Sequence, residues 1–292
     1  MNMTPQTLRR WHLLGSPPPS SLEDARLQLH WASQIVASVG FSYIEPVPDW
    51  SHTSLEWIDD QGLFASQSTS NTRSFRAALR PADLRLFLLN PDGHILSQFS
   101  LDSHTLDDGY AWLSKAIAAH TGIERELERP EHEPPSHLTA SGHPFFRVPP
   151  DAFLEISRWF ADADRVLQAL RASTPNASPV RIWPHHFDIA TLLEFDRGTD
   201  VEEARSIGVG LAPSDTYYDE FYWYILPWPS PDTSTLPPLE DGGFWHTERW
   251  VGAVLPASEL LASRTAETQA QRVRRFIRSG IETSRRLLAL SD

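Results

Sequence analysis

Cysteine is missing from this 292-residue chain and lysine nearly so, with Lys115 alone against 24 arginines. The first absence excludes disulfides, thiolate metal sites and a cysteine nucleophile. The second leaves Schiff-base chemistry only Lys115, which sits inside a helical pattern where a solvated face suits it. Cationic charge as a whole is short. The formal net charge of −13 argues against bulk nucleic-acid binding, which needs many phosphate-neutralising cations. No stretch approaches the roughly 18 apolar residues of a transmembrane helix, so no membrane partner is expected. Residues 8–14 are too short and polar for a signal-peptide core, and a cytoplasmic protein is the expectation. Glycine-rich nucleotide loops and a G-x-S-x-G elbow are absent as well.

Proline and aromatic residues are plentiful: 24 prolines, and aromatics at 11% of the chain, too many rings for a disordered polymer. Leu22, Leu29, Ile35, Val36 and Val39 recur at helical spacing, so a helix is expected over 22–39, capped by Ser21 and ended by Gly40. Strand-like runs follow at 53–58, 73–79, 85–89 and 95–99. Asp59-Asp60-Gln61-Gly62 and Asn90-Pro91-Asp92-Gly93 supply hairpin-type turns. A helix returns at 106–120. Residues 124–150 are proline-rich, with His132, His137 and His143 irregularly spaced, and read as a surface linker with solvated histidines. A second long helix is expected over 151–172 with Asp151 as its N-cap. Strands are then expected at 180–195, 206–211, 220–226 and 245–255, with a proline-rich excursion at 227–240. An amphipathic helix closes the chain over 266–290. Its arginines, Arg272 to Arg286, are solvated or paired with the acidic body, and the alternative is a membrane-surface or anionic-partner role.

The two halves share the order helix, strands, helix, and three strings recur at nearly one offset. Trp50-Ser51-His52 matches Trp183-Pro184-His185, Arg73-Ser74-Phe75 matches Arg205-Ser206-Ile207, and Leu79-Arg80-Pro81-Ala82-Asp83 resembles Leu211-Ala212-Pro213-Ser214-Asp215. This points to an internal duplication; the alternative is coincidence in a proline-rich sequence. The expected fold is α+β, with two related helix–antiparallel-strands–helix modules. The expected divisions are a tail at 1–20, a module at 21–123, the linker at 124–150 and a second module at 151–292.

Chemistry concentrates in the second module. On an extended strand, side chains alternate faces, so His186 and Asp188 would be same-face neighbours. A carboxylate beside an imidazole fixes its tautomer and raises its basicity, which suits acid–base catalysis. In the structural alternative, His185 is a core histidine bonded to a carbonyl and His186–Asp188 merely ends a strand. Gly242-Gly243-Phe244-Trp245-His246-Thr247-Glu248 offers another His–carboxylate pair, His246 and Glu248. His186, Asp188, His246 and Glu248 together would be enough for a divalent metal such as zinc. Tyr217, Tyr218, Phe221, Tyr222, Trp223, Tyr224 and Trp228 form the densest aromatic run. Base stacking would use such rings but lacks a basic groove here.

At these strings the chain resembles an uncharacterised bacterial family of unknown function. The resemblance runs from the helix around Trp31-Ala32-Ser33-Gln34-Ile35-Val36 through Trp183-Pro184-His185-His186-Phe187-Asp188 to Phe244-Trp245-His246-Thr247-Glu248. It implies no activity, cofactor or substrate. It implies that Asp188 is the firmer site residue, since members carry other residues where His185 and His186 stand.

Three functions follow as expectations. The first is binding of a small molecule, without a cofactor, in a pocket of the second module. Trp183, Tyr222, Tyr224 and Trp245 would form its walls, and His186, Asp188, His246 and Glu248 its polar groups. The second is a hydrolase with His186 as general base oriented by Asp188, with or without metal. The third is an interaction protein that uses an aromatic sheet face.

Overall fold

The computed structural model describes residues 11–70, 73–132, 134–196 and 204–290; the first ten residues of the expected tail lie outside them. Helices and antiparallel strands are both abundant, an α+β composition. The chain divides into two units, one of Ser21–Ala161 with Arg181–Phe187, the other of residues 11–20, Asp162–Val180 and 188–290.

In the first unit, helix α1 (Glu23–Tyr43) precedes strands β1 (Leu55–Ile58), β2 (Leu63–Ser66), β3 (Arg76–Arg80), β4 (Arg85–Leu89) and β5 (Ile95–Ser100). These pair antiparallel in chain order, and β6 (Arg181–Trp183) pairs with β1. Strand β2 was not expected; it is a short buried apolar run with too few residues to show a period. Helix α1 runs through Gly40 and ends beyond it, because tertiary contacts outweigh the modest helix cost of one glycine. It lies on β2 and β3, and α2 (Leu106–Thr121) lies on α1, β4 and β5. Residues 124–150 are tied to α1: Glu128 N–H donates to Ser42 Oγ, and Phe146 N–H to Gln28 Oε1. Helix α3 (Pro150–Ser173) starts in the first unit and ends in the second. It buries Phe153, Ile156, Phe160, Ala163, Leu167 and Leu170, the stripe its sequence spacing predicts.

The second unit holds strands β7 (Asp188–Glu194), β8 (Ser206–Ala212), β9 (Tyr222–Trp228), β10 (Phe244–His246) and β11 (Gly252–Pro256). Their antiparallel order is β10-β11-β9-β8-β7. Helix α4 (Ala257–Leu261) packs on β11, and α5 (Ala266–Leu287) on β8, β9 and β11. Gly280 on α5 lets Ile225 of β9 approach, since a Cβ there would meet the Ile225 side chain. The face toward α5 is therefore the one that carries Ile225, Val209 and Ala253, and it is fully buried. On the helix, Val273 and Phe276 are buried, while Arg272 and Arg275 turn outward onto Glu259 and Asp241.

Two expected strands are corrected. Residues 180–195 are not one strand: β6 ends at Trp183, residues 184–187 turn, and β7 begins at Asp188. Phe187 takes φ 59 there, which drives its ring into the first unit's core against His30, Phe64 and Phe160. Burial of that ring outweighs the cost of a left-handed backbone. Residues 245–255 are likewise two strands, β10 and β11, around a turn at 247–251.

Candidate functional site

Directly paired residues of an antiparallel sheet point to the same side. In the second unit, Phe244, Val254, Tyr224, Gly210 and Ala190 form one such row, and Pro256, Tyr222, Ala212 and Asp188 belong to the next. This is the face turned away from α5. Gly210 is required in it, because a Cβ would collide with the Tyr224 ring.

Three phenols on or over this face have fixed partners. Tyr224 O–H donates to Asp188 Oδ2 at 2.6 Å, and Tyr222 O–H to Asp215 Oδ2 at 2.7 Å. Tyr218 O–H lies 2.9 Å from His246 Nδ1. The tautomer of His246 follows from its other nitrogen, which faces the Glu248 carbonyl at 2.7 Å. A carbonyl only accepts, so Nε2 carries the proton and Nδ1 receives the Tyr218 hydroxyl. Asp215 is held on both oxygens, since Oδ1 accepts from the backbone N–H groups of Tyr217 and Tyr218. That Asx-type turn folds the segment before β9 over the face.

The hydroxyls stay protonated. Burial, with the charges of Asp215 and Glu248, pushes the Tyr218 phenol up to about 12. Burial, then the bond to Asp215 and its charge, raises Tyr222 further. Tyr224 is raised by burial and then by the charge and hydrogen bond of Asp188. Around these groups the rings crowd. His246 stacks on Trp250 at 4.1 Å, and Tyr217 meets His246 edge-on at 4.8 Å. Tyr218 contacts Tyr222 at 4.6 Å and Phe244 at 6.2 Å.

The site residues expected from sequence divide accordingly. Asp188, Tyr222, Tyr224 and His246 are brought onto one face. Trp245 is not among them: paired with Ala253, which in turn pairs with Ile225, it points to the α5 side, where its Nε1–H donates to Pro237 O at 2.7 Å. Glu248 lies past the end of β10, so its carbonyl and not its carboxylate meets His246. Trp183 and His186 belong to the first unit. Because residues 184–187 turn, the alternation that would set His186 beside Asp188 is not formed. Among the described residues, no group of three or more His, Asp or Glu side chains is arranged for a metal ion. Two of the four expected ligands are engaged with other partners: His246 commits both nitrogens, and Asp188 accepts the Tyr224 hydroxyl. Asp215, Tyr217, Tyr218 and Trp250 join the site beyond the residues that strand alternation singles out. An aspartate two and three residues before a tyrosine pair was the available signal for the first three.

His186 belongs to a separate imidazole group in the first unit. Its ring centroid lies 4.3 Å from that of His185, and His185 lies 5.8 Å from His132. His132 Nε2 meets Gln34 Oε1 at 2.8 Å, and Gln34 Nε2–H donates to Pro184 O, as does His30 Nε2–H. The core histidine bonded to a carbonyl is thus His30, while His185 is exposed. Burial lowers His30 to about 3, and the chain packed beside His185, with His186 and His132 nearby, lowers it to about 4. His132 is lowered by burial and by His186.

Comparison of the chain with protein-family models, with curated proteins and with solved structures finds no match in any of the three.

Proposed function

We propose that the protein binds a small molecule on the tyrosine face of the second unit. The observation that carries this reading is the contrast between the two faces of the same strands. Toward α5, β8 and β9 present Val209, Leu211, Trp223 and Ile225, the surface that packing requires. On the other side, β9 and the segment before it present phenols whose hydroxyls are fixed onto Asp188, Asp215 and His246. Desolvating such groups costs free energy unless each is bonded, and an aliphatic face would pack without that requirement. Rings held in fixed positions with a few convergent polar groups are what a small ligand needs. Acid–base catalysis by His186 has less support, because the turn at 184–187 removes its strand relation to Asp188.

The test is a ligand-observed NMR fragment screen on the whole chain and on a Tyr222→Phe/Tyr224→Phe variant, with circular dichroism to confirm that both are folded. Hits that bind the natural protein and lose about five-fold or more in the variant are expected; a lost hydroxyl contact costs roughly 1 kcal/mol. The same hits at the same affinity in both proteins would sink the reading.

We also propose that the two halves of the chain descend from one duplicated module. Support comes from where the recurring strings fall. Trp50-Ser51-His52 enters a helical turn that leads into β1, and Trp183-Pro184-His185 enters the turn that leads into β7. Leu79-Arg80-Pro81-Ala82-Asp83 closes β3 before β4, and Leu211-Ala212-Pro213-Ser214-Asp215 closes β8 before β9. In the first unit Asp83 pairs with Arg80 and Arg85; in the second Asp215 takes the tyrosines instead.

A further inference from the structure

The protein has a habit of laying its own arginines over aromatic rings. Arg129 sits 4.5 Å from the Tyr110 ring, Arg80 4.8 Å from Phe87, Arg285 5.2 Å from Phe195 and Arg125 5.3 Å from Tyr43. The densest ring group does not follow it. Among the described residues, no arginine or lysine is placed over Tyr217, Tyr218, Tyr222, Phe244 or Trp250. Among the described residues, the charged side chains that act on the three phenols are carboxylates: Asp188, Asp215 and Glu248. The rings stand at angles to one another: Tyr217 meets Trp250 at 77° with 6.2 Å between centroids. The group is reachable, since Phe244 is 43% exposed, Asp215 and Glu248 are exposed, and Tyr217, Tyr218 and Trp250 are half-buried. The nearest cation in the chain order, Arg249, is exposed in the turn between Glu248 and Trp250.

The face of an aromatic ring carries partial negative charge and attracts a cation, more so when water is displaced. Several such faces at angles, rimmed by carboxylates and not occupied by the protein's own arginines, suit a positive group brought from outside. We infer that this face binds an organic cation, an ammonium or guanidinium group, against Tyr217, Tyr218 and Trp250, with Asp215 and Glu248 balancing its charge. This inference rests on the small-molecule reading of the same face and adds the chemical class of the ligand.

Matched pairs of probes separate the two claims. Choline, benzylamine and guanidinium are titrated by NMR into the full chain, each beside its uncharged counterpart: dimethylbutanol, benzyl alcohol and urea. At least one cation is expected to shift the resonances of Tyr218 and Trp250 and to bind about ten-fold tighter than its neutral partner, the range of a partly desolvated cation–ring contact. Glu248→Gln is expected to weaken that binding about three-fold or more, and Arg249→Ala to leave it unchanged or strengthen it. If the neutral partners bind as well as the cations, the inference fails while the small-molecule reading stands. It fails in the same way if only neutral or anionic fragments bind this face. If neither the pairs nor a general fragment screen gives any ligand here, both fall.

Discussion

At the scale of single residues, two positions with no direct chemistry decide how the candidate sites are held. His30 is buried with its Nε2–H on the Pro184 carbonyl, and burial holds its folded-state value down to about 3 against an ordinary 6.5. The neighbouring Arg26, His132 and His186 push in the same direction. Between those two values the unfolded chain binds a proton that the folded one refuses. Stability is therefore complete above about pH 6.5 and falls as the pH drops toward 3, by up to about 1.4 kcal/mol per pH unit for this one group. Asp162, whose carboxyl burial raises, works the opposite way at the acidic end. Urea unfolding of the natural protein and of His30→Gln, which keeps a donor for Pro184, isolates the effect. The natural protein is expected to lose more between pH 7 and pH 4.5; parallel losses would refute it. Gly210 is the second case. Gly210→Ala places a Cβ on the Tyr224 ring and against the Ile189 carbonyl, so the ring must move off Asp188. A loss of about 1–3 kcal/mol is expected, the usual cost of overpacking. An unchanged melting temperature would show that the Tyr224–Asp188 contact is not fixed as described. Neither residue stood out in the sequence, because a histidine inside a helical stripe and a glycine inside a strand look alike whether or not they hold a neighbour.

Secondary-structure elements were legible where one face meets one core. The α3 stripe and the amphipathic α5 follow directly from their 3.6-residue spacing, and β4 and β8 from short apolar runs between turn signals. Element ends were less legible. Ser21 and Asp151 looked like N-caps, yet α1 is preceded by Leu22 with no side-chain cap, and Asp151 lies within the first turn of α3. The reciprocal caps are Thr105 with Asp108 on α2 and Thr265 with Thr268 on α5. Which polar residue caps depends on the backbone just before the helix, and composition does not reveal that. Helix α5 covers the apolar side of the sheet that carries the candidate site, so its cap is a test of how that sheet is supported. Thr265→Ala is expected to cost about 1 kcal/mol by removing the hydroxyl that accepts from Thr268 N–H. Chemical denaturation reads this directly, and a change below about 0.3 kcal/mol would mean that the helix start is held by packing alone.

For the molecule as a whole, the alternation of long helices with groups of strands and the acidic balance could be read from the chain, but the membership of the two units could not. The alternation of residues 180–195 suits one strand; only the left-handed turn at Phe187 assigns 181–187 to the first unit and Asp188 to the second. That turn also explains why a His186–Asp188 pair looked plausible from spacing alone. The net charge of −13 has a further consequence. Some acidic groups are answered locally, as Asp241 is by Arg275 and Glu259 by Arg272, but the surplus repels itself across the folded surface. Salt acts on both. It weakens exposed pairs, which typically contribute only about 0–1 kcal/mol each, and it screens the surplus once the Debye length falls from about 30 Å at 0.01 M to about 8 Å at 0.15 M. With 13 uncompensated charges, relief of repulsion is the larger effect. The melting temperature is expected to rise over that range, by about 2–4 °C for each kcal/mol of repulsion removed. Calorimetry in sodium chloride at pH 7 measures it. A flat or falling melting temperature would mean that the local pairs outweigh the surplus and that the acidic charge is already accommodated by the fold.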